Sequence, residues 1–186
     1  MTQTFTLDRN HTRLEFSAKH MMVTTVRGSF EDFTGAVELE NDDPTSARAS
    51  ATVKTASIWT GVEMRDNHLR SDDFFGVEKY PEMSFQSTAV EKTGENAYKV
   101  TGDLTIRDVT RPITLDVEIE GQIIDPYGNE RVGLSARGRL NRKDWGLNWN
   151  QAIEAGGVVV SDNINIAVEA ALVRKAEVAA TAAATA

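Results

Sequence analysis

The chain has 186 residues, 40% of them hydrophobic and 26% charged, which suits one globular domain with a sizeable core. Its formal net charge of −8 argues against phosphate backbones and anionic headgroups as partners, so neither nucleic acid nor electrostatic membrane docking is expected. No apolar run approaches the roughly 20 residues of a membrane-spanning helix, which leaves out stable membrane insertion, and the lack of cysteine removes disulfides, thiolate chemistry and Cys-ligated zinc.

The opening, MTQTFTLDRNHTRLEF, has neither the basic start nor the apolar stretch of a secretory signal, so the chain reads as cytoplasmic. Period two then dominates. Leu14, Phe16 and Ala18 alternate with Arg13, Glu15, Ser17 and Lys19; the next segment, HMMVTTV, reads as a short helical turn. TGAVELE contributes Val37 and Leu39, and ARASATVKT sets Ala49, Ala51 and Val53 against Arg48, Ser50, Thr52 and Lys54.

TGVEMRDNHLRSDDFF breaks the alternation and predicts a short helical segment around residues 61–73, with Thr60 placed to cap it and Glu63 as the capping-box partner. Alternation resumes with Met83 and Phe85; with Tyr98, Val100, Leu104 and Ile106; and with Ile113, Leu115, Val117 and Ile119. Val132, Leu134, Ala136 and Leu140 follow, then Ile164, Ile166, Val168, Ala170 and Leu172. Turn residues separate the runs at Asp42-Asp43-Pro44, Gly94-Glu95-Asn96, Asp125 to Asn129, and Gly156-Gly157.

This makes about eight strands, each apolar on one face, the pattern of an all-β antiparallel protein. Such strands close into a packed sandwich or a barrel. Small inward residues (Ala49, Ala51, Gly102, Ala136, Gly138, Ala170) leave room that Phe16, Phe85 and Leu104 do not fill, so a barrel wide enough for one ligand stands beside the packed alternative. Residues 1–175 read as one domain, and the alanine-rich 176–186 as a disordered tail.

Chemical motifs are sparse. His11, His20 and His68 fall in no zinc-ligand spacing; a set of His68, Asp66 and Asp72 is weighed against a hydrogen-bonded structural His68, and no metal is expected. There is no G-x-S-x-G elbow, so no nucleophile is assigned, and neither GxGxxG nor GxxxxGK occurs, so no nucleotide cofactor is expected. Phe30, Phe33, Phe74, Phe75, Trp145 and Trp149 gather at segment ends, where the mouth of a pocket would lie.

Four ordered blocks carry a resemblance: LDRNHTRLEFSAKHMMVTTVRGSFEDFTG, SIWTGVEMRDNHLRSDDFFGVEKYPEMSFQS, VTGDLTIRDVTRPITLDVE and NRKDWGL. Together they resemble the YceI-like family, whose founding description is polyisoprenoid binding in a lipocalin-like barrel. The chain departs from that pattern at Asp108, where members often carry glycine, at Gly76, where they carry aspartate, and in VVVSDNINI.

The resemblance implies a hollow antiparallel barrel with a helical segment across it, binding a polyisoprenoid or other long-chain lipid noncovalently, of quinone or prenyl phosphate type. It implies Phe16, Phe30, Val53, Phe85, Leu104 and Leu115 as interior ligand contacts, and Met22, Phe33, Phe74, Phe75 and Trp145 at the mouth, with His20 as a headgroup contact. Met64 and Leu69 would face or cover the cavity, while Arg65, Asp66 and His68 would form a structural clasp. No catalytic residue is expected. The rivals are an enzyme acting on an amphiphile through His68 and nearby carboxylates, and a stress-related interaction module without a ligand; a homodimer stays open.

Overall fold

The structure, a computed structural model, describes residues 1–154 and 156–175. The expected tail, 176–186, lies outside them. The strands are β1 (Thr2–Leu7), β2 (Arg13–His20), β3 (Thr24–Phe30), β4 (Phe33–Glu40), β5 (Asp43–Lys54) and β6 (Ile58–Trp59), then β7 (Glu82–Lys92), β8 (Ala97–Ile106), β9 (Val109–Ile124), β10 (Glu130–Asn141) and β11 (Asn163–Arg174). The α-helix α1 (Glu63–Arg70) lies between β6 and β7.

Eight antiparallel strands close on themselves in the order β1-β4-β5-β7-β8-β9-β10-β11, and the seam is Thr6 opposite Val173 with Leu7 opposite Leu172. The expected barrel is present. Beyond the seam, the edge of β11 is taken over by β2, from Glu169 opposite Arg13 to Asn165 opposite Ser17. β1 and β2 are thus two halves of one bent strand, interrupted by a 3-10 turn at Arg9–His11 whose entry Asp8 caps by accepting from the Asn10 amide. β3 and β4 form a matching bent pair: β3 lies on β2, and β4 on β1.

HMMVTTV is not a helical turn. Met21 and Met22 adopt φ of 49° and 62° in the β2–β3 hairpin, and the chain is a strand again from Thr24. The β4–β5 turn falls at Asn41-Asp42, with Asp43 and Pro44 already in β5. The helix is shorter than expected, and Val62, not Thr60, occupies its cap position.

Large inward side chains lie flat on neighbouring glycines, so the wall stays thin. A Cβ at Gly102 would come within 2.4 Å of the Phe85 ring and 2.6 Å of the Gln86 carbonyl oxygen. The ring can swing away, but the carbonyl is part of the β7–β8 ladder. Gly102→Ala is therefore expected to lower stability by about 1–3 kcal/mol, read from the midpoint of urea unfolding.

A charged knot holds the seam end. Arg131 donates through Nη1 to Asp8 Oδ2 at 2.9 Å and through Nε to Asp125 Oδ2 at 2.8 Å, tying β1's end to the β9–β10 hairpin. The Arg131 guanidinium, helped by Asn129 and the Tyr127 amide, holds the Asp125 carboxyl at about 2, below its ordinary 3.8. A depressed carboxylate contributes stability above the unfolded value of 3.8 and loses that contribution as pH falls through about 2. The urea midpoint should accordingly drop across that window, and Arg131→Met should flatten the drop while lowering stability at neutral pH.

Candidate functional site

The inward faces enclose one large cavity of about 960 Å³. Its walls are the alternating apolar residues of the ring: Val37 and Leu39 from β4, Ala49, Ala51 and Val53 from β5, Phe85 from β7, and Val100 and Leu104 from β8. Leu115, Val117, Leu134, Ala136, Ile166 and Val168 complete it from β9, β10 and β11. Period two in sequence has become one continuous hydrocarbon surface.

Of the residues singled out from sequence, Phe16, His20, Phe30, Val53, Met64, Leu69, Phe74, Phe75, Phe85, Leu104 and Leu115 all line this cavity. Phe33 does not. It is buried in the wall with Phe30, Val53 and Ile58. Trp145 is also buried behind the lining, its indole Nε1 donating to the Leu104 carbonyl at 2.9 Å. Met22 stands outside, exposed on the hairpin tip.

Two aromatic rows cross the α1 end. Phe30 is tilted against Phe16 at 5.7 Å and meets Phe75 edge-on at 5.6 Å. His68 meets Phe74 edge-on at 5.1 Å and Trp149 edge-on at 4.6 Å. These are the separations at which aromatic pairs attract beyond simple burial. His68 Nε2 contacts Asp73 Oδ2 at 2.8 Å, and that pair is half-exposed.

Of the polar groups of the helix, Arg65 and His68 reach the cavity wall, as does Thr60, whereas Asp66 and Arg70 do not. Asp66, only 4% exposed, accepts from the amide of Thr60 at 2.9 Å and from its hydroxyl at 2.5 Å. Arg65 donates to the same hydroxyl at 2.7 Å and to the Thr60 carbonyl at 2.9 Å. Thr60 is thereby fully committed, which explains why it does not cap the helix. Arg70 adds bonds to the carbonyls of Ala56 and Ile58. Arg65, Asp66 and Arg70 thus strap α1 to the 56–60 segment, while His68 belongs to the aromatic row.

Among the described residues, no group of three or more histidines and carboxylates is placed to hold a metal ion. Asp66 is bound to Thr60, and Asp72 pairs with Lys79 at 2.7 Å, so neither joins His68.

One buried cation faces the lumen. Arg142, 4% exposed, donates to the carbonyls of Leu147 at 2.6 Å, Ser161 at 3.0 Å and Val160 at 3.4 Å, and its guanidinium lies 5.9 Å from the Phe74 ring centre. Burial draws it down from its ordinary value and the Asp162 carboxylate, 3.7 Å away, opposes that shift. Guanidinium stays charged regardless.

A profile of the YceI-like domain matches residues 5–172. The chain belongs to the YceI-like family. UPF0312 proteins of Staphylococcus aureus strains N315 and MSSA476 are each 42% identical to this YceI-like chain over 161 residues, 86% of it and 91% of the relative. The YceI protein of Campylobacter jejuni superposes with a TM-score of 0.74 at 34% identity, covering 85% of this chain and 90% of that one. More distant in sequence are BcnA of Burkholderia cenocepacia (TM-score 0.77, 21% identity, 89% and 98% covered) and a polyisoprenoid binding domain from Saccharophagus degradans (TM-score 0.68, 13% identity, 93% and 99% covered). These last share the fold.

Sequence reasoning passed over both charged ends of the YceI-like lumen. The inward positions of β10 run through Val132, Leu134, Ala136, Gly138 and Leu140, and the same alternation reaches Glu130 at one end and Arg142 just past the other. Glu130 accepts from Gln122 and Arg174 at the seam end. A charge at an inward position was the signal, and it was legible from period two alone.

Proposed function

We propose that this YceI-like barrel binds a long-chain isoprenoid or similar lipid noncovalently, for carriage, storage or sensing. The observation that carries the reading is the cavity: about 960 Å³ walled almost wholly by aliphatic and aromatic side chains. That lies at the top of the roughly 300–1,000 Å³ range of small-molecule pockets. Burying about 20 ligand carbons is worth on the order of 16 kcal/mol gross, of which chain ordering and lost overall freedom cancel a large part. The Saccharophagus degradans polyisoprenoid binding domain, with the same fold, supports the ligand class.

The family and the site point to a binding protein rather than an enzyme. His68, Arg65 and Asp66 serve as structural groups in this reading, and a lipid of quinone or prenyl phosphate type is the class proposed for an apolar lumen of this volume. Among the described residues no helix is long and apolar enough to cross a membrane. We assign the cytoplasm as its compartment, in keeping with a sequence free of cysteine.

The test is mass spectrometry of organic extracts from gently purified protein, against a barrel of unrelated sequence from the same host. A stoichiometric long-chain isoprenoid is the expected result. An extract that stays empty after incubation with prenols, quinones and fatty amides would overturn the reading.

A further inference from the structure

The β2–β3 hairpin holds a local conflict. Met21 and Met22 both take positive φ, 49° and 62°, and the Val23 amide donates to the His20 carbonyl at 3.1 Å, the geometry of a type I′ turn. Such turns belong to Asn, Asp and Gly, because a Cβ on a left-handed backbone meets the following carbonyl. The same barrel shows the ordinary solution at its other end. In the β4–β5 turn the paired positive-φ positions are Asn41 and Asp42. At β2–β3 the chain instead keeps two unbranched apolar side chains in a strained backbone: Met21 is 46% exposed, Met22 63% with its sulfur resting on Gly157, and the neighbouring Val23 78%.

The strained tip sits beside the lumen. The Met21 amide donates to the Val159 carbonyl at 2.8 Å, and His20 bridges Val160; His20, Val159 and Val160 all line the cavity. At the same end, Val62 and Met64 at the start of α1 are both exposed and part of the cavity wall, Met64 at 83%. Apolar side chains thus belong to the outer surface and to the lumen at once.

We infer that this rim, Met21, Met22, Val23, Val62 and Met64, is a docking surface for a neutral lipid bilayer, across which the cavity exchanges its occupant. The inference rests on the lipid-binding reading above. Thioether and valine side chains offer no strong hydrogen bonds to specify a protein partner, and Met adapts to a fluid apolar surface. The net charge of −8 disfavours anionic headgroups, so the contact is apolar and insensitive to salt. It is a transient seating and needs no spanning segment.

The test is flotation of the full chain with vesicles of phosphatidylcholine, in low and high salt. The wild type is expected to float in both. Met21→Asp with Val23→Asp should cut the floated fraction by about tenfold or more, while filling with the prenol solanesol from detergent micelles as the wild type does. Met21→Asn with Met22→Gly is the sharper variant. It gives the turn the residues its backbone favours, so the protein should melt no lower than wild type and yet lose flotation. A wild type that fills from micelles but does not float, whether it stays monomeric or self-associates, overturns the docking surface, as does an Asn-Gly variant that floats unchanged. A wild type that floats but never takes up prenol leaves the docking surface standing and removes the isoprenoid reading instead.

Discussion

Arg142→Leu is expected to lower stability by about 3–5 kcal/mol, the largest loss among single polar substitutions in this barrel. The leucine fills much of the same space and suits an apolar lumen. It leaves behind three carbonyls that now share one guanidinium: those of Leu147 and Ser161 lose their side-chain donor, while that of Val160 keeps Asn150 Nδ2 at 2.7 Å. Two belong to the far limb of the segment between Trp145 and β11, and the third to its near limb. Removing the cation unpins both limbs together. Urea unfolding gives the magnitude, and hydrogen exchange gives the location: amides of Leu147 and Ser161 should exchange much faster, while those of β8 and β9 follow only the global loss. Arg142→Lys should recover only part, because an ammonium cannot reach the three acceptors in the same fork. A loss below about 1 kcal/mol would show that water can replace the guanidinium there.

Ala136→Trp is expected to leave a folded barrel that no longer fills. Ala136 is buried midway along β10, pointing inward between Val117 and Val168. In a packed core an indole there would force strand movement, but here it has the lumen to enter. Solanesol retained per barrel should fall by about tenfold or more, a loss of about 1.4 kcal/mol or more in binding, while the circular dichroism of the sheet is unchanged. Ala49→Trp, on β5 across the ring of eight strands, should act alike from the opposite wall. Unchanged retention in both would place the lipid outside the lumen.

Much of this barrel is legible in the sequence, and the failures have physical causes. Strands β5 and β7 to β11 alternate cleanly because each has one face on hydrocarbon and one on water. β3 escapes notice because its inward positions are Val26, Gly28 and Phe30, and the glycine is there so that the Phe16 ring can lie on it. The capping box at Thr60 and Glu63 is a true local motif, overridden because Asp66 and Arg65 claim the threonine first. Phe33 and Trp145 sit at segment ends, as a mouth residue would, yet they are buried behind the lining. Trp145 needs an acceptor for its indole and finds it in the backbone of β8, a three-dimensional fact no spacing encodes. Arg142 is the opposite case, plainly inward by period and simply not weighed.

The seam has a consequence for synthesis. The barrel is closed by pairing Thr6 with Val173 and Leu7 with Leu172, the first strand with the last. A ribosome delivers β1 long before its partner, so the nascent sheet stands open with one greasy face uncovered until β11 has emerged. No enclosed volume exists during that interval. The lumen exists only once β11 has paired with β1, so it belongs to the closed ring and to no part of it.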